Sequence, residues 1–322
     1  MLLSEDATVD LVSRLRASKI DDATIEAMAL HVDGLCSAYG SEDRDRLRAD
    51  AQEWLVRLGD TLASQLSYAQ HRQVLELAGW LALLTSCLCW DGSDASGAEQ
   101  ARRSAIALGT DIAHPDILGW AAEIKAWMSL TTGNLTGVVS AAREGLSVTA
   151  ERPAAVQLYA QQAKGWARMG DKTRAHLALN QARELLAALS VPANPRNHFE
   201  VDPVKVDFYA MDVWRLLGED ALAASAAQTI RRTSTSSGGK PLSPMRLAEA
   251  QITDATILAR NGDLGGALSL AEDALSGDRR SLPSLLMVGS EFAGELSRVD
   301  PHSGVAADYR AHLADLAAND EP

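Results

Sequence analysis

The chain has 322 residues, 47% of them hydrophobic and 23% charged, with a net charge of −13 at neutral pH. It is apolar enough to bury a core, so it is not globally disordered, and too acidic, with no basic cluster longer than a pair of arginines, to offer the dense cationic surface that displaces counterions from phosphates. Alanine and leucine dominate while aromatics are 5%, a mixture that favours helix over strand.

Other exclusions follow from particular residues. Cys36, Cys87 and Cys89 are an odd set without the spacing of a disulfide framework or zinc site, as expected in a reducing compartment. The start, Met-Leu-Leu-Ser-Glu-Asp, lacks the basic segment of a secretory signal. The most apolar run, Leu75 to Trp90, is interrupted by Glu76 and too short to span a bilayer. The chain is therefore read as cytoplasmic, with no membrane partner.

Three helices are expected in residues 1–70, at about 7–17, 21–39 and 43–66. Beyond them a unit recurs: an apolar helix, a Gly-Asp or related pair, then an alanine-rich helix. The pairs are Asp91-Gly92, Gly133-Asn134, Gly170-Asp171, Gly218-Glu219 and Gly262-Asp263. Glycine suits a left-handed helix stop, and the Asp or Asn that follows suits the next N-cap. Five residues after each glycine stand Gly97, Val138, Ala175, Ala223 and Ala267, small residues that let the second helix approach the first closely. First helices are expected at Leu75–Trp90, Ile117–Thr131, Ala155–Met169, Val204–Leu217 and Met245–Arg260, with a closing pair at Leu285–Leu296 and Val305–Ala317. The expected fold is all-α, a right-handed α-solenoid of irregular tetratricopeptide (TPR)-like helical hairpins. The division is an N-terminal helical segment, 1–70, and a helical-repeat domain, 71–322, with a proline-containing loop at 191–203 and a flexible connection at 233–244.

Several stretches carry a family resemblance. They include Gly79-Trp80; Gly119-Trp120 with Glu123 and Trp127; Gln157, Gln161, Lys164 and Trp166 before Gly170-Asp171; Asn197-His198-Phe199 through Asp202-Pro203, Lys205, Tyr209 and Asp212; Met245-Arg246 with Glu249; and Gly277-Asp278 through Ser281, Pro283 and Met287. Together, over about residues 70–295, they resemble the C-terminal TPR half of actinobacterial helix-turn-helix transcriptional regulators of the Xre type. Residues 1–70 do not supply the helix-turn-helix, so DNA binding is not carried over. The resemblance implies a regulatory binding module that recognises a peptide or small signalling ligand in a concave groove; the alternative is a protein–protein scaffold without a small ligand. The expected partners are a peptide, a small-molecule signal or a protein, a homodimer among the options, and no nucleic acid bound by this chain alone.

The groove-lining candidates are polar residues of the first helices. Gln157, Gln161 and Lys164 are spaced 4 and 3, so they share a stripe, as do Asp202, Lys205, Tyr209 and Asp212. Glu123, Lys125 and Trp127 belong to the second hairpin, and Arg246 and Glu249 would add a rung from the fifth. His198 and Phe199 sit in the proline loop, where Phe199 is read either as a core plug or, with His198, as part of a lid. No nucleophile elbow, phosphate loop or metal-ligand spacing is present. The expectation is a protein with no catalytic residues, no metal site and no cofactor.

Overall fold

The computed structural model describes residues 5–149 and 151–319. They form fifteen α-helices and no strand: α1 (Glu5–Arg16), α2 (Asp22–Ala38), α3 (Arg44–Leu62), α4 (Tyr68–Asp91), α5 (Ala95–Asp111), α6 (Pro115–Thr131), α7 (Leu135–Thr149), α8 (Pro153–Arg168), α9 (Lys172–Ala188), α10 (Pro203–Leu216), α11 (Asp220–Thr233), α12 (Pro244–Arg260), α13 (Leu264–Leu275), α14 (Leu282–Val299) and α15 (Val305–Asn319). Five of them begin with proline at or next to the first helical position. A missing N–H costs nothing there, and the fixed φ is already helical. The helices therefore begin one to three residues before the expected starts at Ile117, Ala155, Val204, Met245 and Leu285.

The hairpin turns follow one chemistry. Gly133, Gly170, Gly218 and Gly262 have φ between +72 and +89°. Asp171, Asp263 and Asn134 then cap the next helix by accepting from the backbone N–H three residues on. The first hairpin departs from the expected register by one residue. Gly92 has φ −97°, Ser93 takes the left-handed conformation at φ 61°, and Asp94 is the cap. Accordingly Ala98, not Gly97, is the buried close-approach residue, matching Val138, Ala175, Ala223 and Ala267, which are all fully buried.

Packing arranges these hairpins in two layers. Helices α4, α6, α8, α10, α12 and α14 each touch the next, while α5, α7, α9, α11 and α13 back them. Helix α2 stands against α4 as α4 stands against α6, and one hydrophobic cluster runs from Ile25 to Val213. Helix α4 is long and apolar enough to cross a membrane, but most of its apolar stretch is buried inside the protein, where it forms the core of this row. The row also bends round on itself: α14 packs on α12 and also on α4 and α6.

Two connections close the arrangement. In the 191–203 loop, Asn194 and Asn197 donate to the Asp33 carboxylate on α2, and the His198 N–H donates to Cys36 O. Phe199 is buried among Trp80, Trp120 and His198, which is the plug reading. The 233–244 connection, expected to be flexible, is a tight turn in which Ser236 N–H donates to Lys240 O and Leu242 N–H to Ser234 O.

Candidate functional site

The interior of the curved row is polar, and α8 supplies its axis. Gln157, Gln161, Lys164 and Arg168 lie one above another, and Gln157, Gln161 and Lys164 are all at least 95% buried. Each meets a residue from another first helix. Tyr209 OH donates to Gln157 Oε1. Gln161 Nε2 donates to Glu123 Oε1 at 2.8 Å. Lys164 Nζ lies 3.3 Å from Asp212 Oδ2 and over the ring of Tyr209. Arg168 donates to Asp212 and also, through Nε at 2.8 Å, to Glu291 Oε1 on α14. Arg215 donates to the same two carboxylates at 2.6 Å each.

The structure thus brings Glu123, Gln157, Gln161, Lys164, Tyr209 and Asp212 into one network, in which they are partners of one another. The remaining candidates border it. Lys205 is buried and donates from Nζ to the carbonyls of His198 and Glu200, fastening the loop. Arg246 pairs with Asp202 at 3.4 Å. Half-buried His198 faces the Tyr39 ring at 4.0 Å and the Cys87 thiol at 3.8 Å. Trp127 Nε1 donates to Ser284 Oγ on α14. Lys125 lies on the solvent side and takes no part.

Sequence reasoning missed three members. Arg168 extends the α8 stripe by one further turn and Arg215 extends the α10 stripe by three residues, so both were accessible to the same spacing argument. Glu291 was not, because only the curvature of the row brings α14 opposite α8.

Electrostatics distinguish the members. Burial raises the Asp212 carboxyl, but Arg168, Lys164 and Arg215 outweigh it and hold the pKa well below the usual range. For Glu249 on α12 the balance is reversed: burial, with the charge of Asp212, outweighs the same cations, Lys164, Arg168 and Arg215, and pushes it up to about 7. Burial likewise lowers Lys205 to about 7 and raises Glu123. Among the described residues, Gln161 Oε1 and Glu249 Oε2 are buried and accept no hydrogen bond from the protein. The three thiols are buried, and burial raises each of them, which disfavours the nucleophilic thiolate.

The network opens at one end. Where the turns following α4, α6 and α8 approach α14, a cleft of about 850 Å³ is lined by Trp90, Leu130, Leu135, Leu216, Leu286 and Met287, with Arg168 and Glu291 also in its wall. Its size is that of a small-molecule or peptide-side-chain site. Compared with known proteins, the chain matches no family model and no curated protein.

Proposed function

We propose that the chain is a TPR-type regulatory binding module, a right-handed superhelix of helical hairpins whose concave side recognises a peptide or small signalling ligand, related to transcriptional regulators and acting in the cytoplasm. One observation carries this reading: a continuous row of buried polar side chains, two of whose acceptors, Gln161 Oε1 and Glu249 Oε2, have no protein partner, leads inward from an open, apolar-walled cleft. Buried polar groups cost free energy unless they are satisfied, and an interior devoted only to stability is better served by apolar side chains. A ligand with both donors and acceptors matches that row. Its occupancy would be transmitted by a change in curvature, because the hairpins contact mainly their neighbours.

The test is native mass spectrometry of protein purified from its natural host. The expected result is a co-purifying ligand whose retention falls in Gln161→Leu and Lys164→Met chains that keep the wild-type circular dichroism spectrum. A ligand-free mass, together with unchanged hydrogen exchange of α8 and α10 in the presence of a host metabolite and peptide extract, would overturn the reading.

A further inference from the structure

We propose that the groove receives an amphipathic helix of a partner protein, and that α14 is the chain's own stand-in for that helix. This inference rests on the groove reading above and specifies its ligand.

Helix α14 has two working faces. Leu285, Val288, Phe292 and Leu296 are buried in a cluster shared with α12, α13 and α15, as for any terminal hairpin. Ser284, Met287 and Glu291, spaced 3 and 4, are on another face and do something different. Ser284 Oγ accepts from Trp127 on α6. Met287 packs on the apolar cluster of Ala126, Leu130 and Leu158 as well as on the edge of the α12–α15 cluster, so it bridges the two faces. Glu291 accepts from Arg168 and Arg215. A polar anchor, an apolar anchor and a carboxylate at i, i+3 and i+7 are the contact set of a helix laid into a groove.

The receiving side is built independently of α14. Arg168 and Arg215 are both held by Asp212, so they stay in place if Glu291 leaves. Two guanidiniums and Lys164 then face the Asp212 carboxylate, with the Glu249 carboxyl also in their field, and the three cations leave an excess of positive charge that is complementary to an incoming Glu or Asp. The seam is also thin. Fewer residues join α14 to α4 and α6 than join it to α12 and α15, and the 850 Å³ cleft lies along the seam, with Leu130, Leu135 and Leu216 on one wall and Pro283, Leu286 and Met287 on the other. Opening it breaks the Glu291 and Arg279–Asp91 ion pairs, the hydrogen bonds of Arg279 to Tyr39 O and of Trp127 to Ser284, and the Met287 contact with α6 and α8, while the α14–α15 hairpin stays on α12. The partner that fits is a helix presenting Ser or Thr, then Met or Leu, then Glu, at the spacing of Ser284, Met287 and Glu291.

The probe is a fluorescent 18-residue peptide with the sequence of residues 282–299, carrying Leu285→Gln, Val288→Gln, Phe292→Gln and Leu296→Gln, so that only the groove-facing anchors remain. The receptors are the wild-type chain and a Met287→Ala/Glu291→Ala chain, in which the internal competitor is weakened. Anisotropy is expected to show binding to the double variant at least about tenfold tighter than to wild type, and a peptide lacking the carboxylate, Glu291→Gln, is expected to lose about tenfold, since a charge-assisted contact is removed. A photo-crosslinker at the peptide's methionine position should label Leu130 or Leu158. Equal binding of wild type and variant, equal binding of a scrambled peptide, or cross-links outside α6 and α8 would overturn the inference. If the double variant does not unfold cooperatively, the milder Glu291→Gln chain serves as receptor with the same outcomes. A ligand found in the groove of host-purified protein, combined with no binding of this peptide, would remove the helix inference and leave the groove reading standing.

Discussion

Arg279, in the loop before α14, donates to the Oδ2 of Asp91 at the end of α4 at 3.0 Å, across 188 residues of sequence. The same guanidinium donates to the carbonyl of Tyr39 beyond the end of α2 and lies over its ring. One buried side chain therefore ties the last hairpins to the first helices, and both charges of the pair are at least 95% shielded from solvent. With Trp127–Ser284 and the Glu291 ion pairs it closes the row of first helices into a curve whose inside is polar.

Loss of one partner of this clasp strands the other. Arg279→Met should destabilise the chain by about 3–5 kcal/mol, because Asp91 remains as an uncompensated buried charge. The paired Arg279→Met/Asp91→Leu chain should recover much of that loss. Urea unfolding of the three chains measures it, and a double variant as unstable as the single one would show that the clasp acts through something other than charge.

Glu249 makes stability depend on pH in an unusual direction for a carboxylate. Burial raises its pKa to about 7 in the folded chain, against 4.5 as the ordinary value. Between these values the folded chain keeps a proton that the unfolded chain has released, so stability falls as pH rises through the window, and the loss is complete above about 7. Glu249→Gln should remove this contribution. The difference in urea midpoint between variant and wild type should grow from pH 4.5 to 7 and then level off; a constant difference would mean that Glu249 does not titrate there.

Lys205 has the mirror-image effect. Burial lowers it from 10.5 to about 7 in the folded chain, so its penalty is full below 7 and relieved as pH rises from 7 towards 10.5. Lys205→Met should flatten that alkaline limb. It should also free the loop at His198 and Glu200, whose carbonyls Lys205 holds, and faster amide exchange at Phe199 and Val201 would report the loosening.

Gly170→Val and Gly262→Val should each cost about 1–2 kcal/mol. Their φ angles are +78° and +89°, and a Cβ at either position would meet nothing within 4 Å. The cost is therefore backbone strain without a clash, and asparagine, which tolerates this conformation, should cost less at both positions. Unchanged thermal midpoints for both valine variants would show that the turns relax by another route.

The sequence by itself determined the local structure. Apolar periodicity, the turn glycines with their Asp or Asn caps, and the small residues after them specify where helices lie and which consecutive ones pair, because all of these are interactions within a few residues. The slip at the first hairpin, Ser93 in place of Gly92, arose because the turn geometry there puts a serine where the other hairpins have glycine. The same short-range reasoning found the α8 and α10 stripes, since side chains three and four apart must share a helix face. Only the tertiary structure decided what those stripes meet. How far the row curves is the sum of many small hairpin rotations, and that sum has no signature in any one segment. It is this curvature that sets Glu291 against Arg168 and Arg215, brings Arg279 to Asp91, and turns a row read as an open groove into a polar interior filled in part by α14.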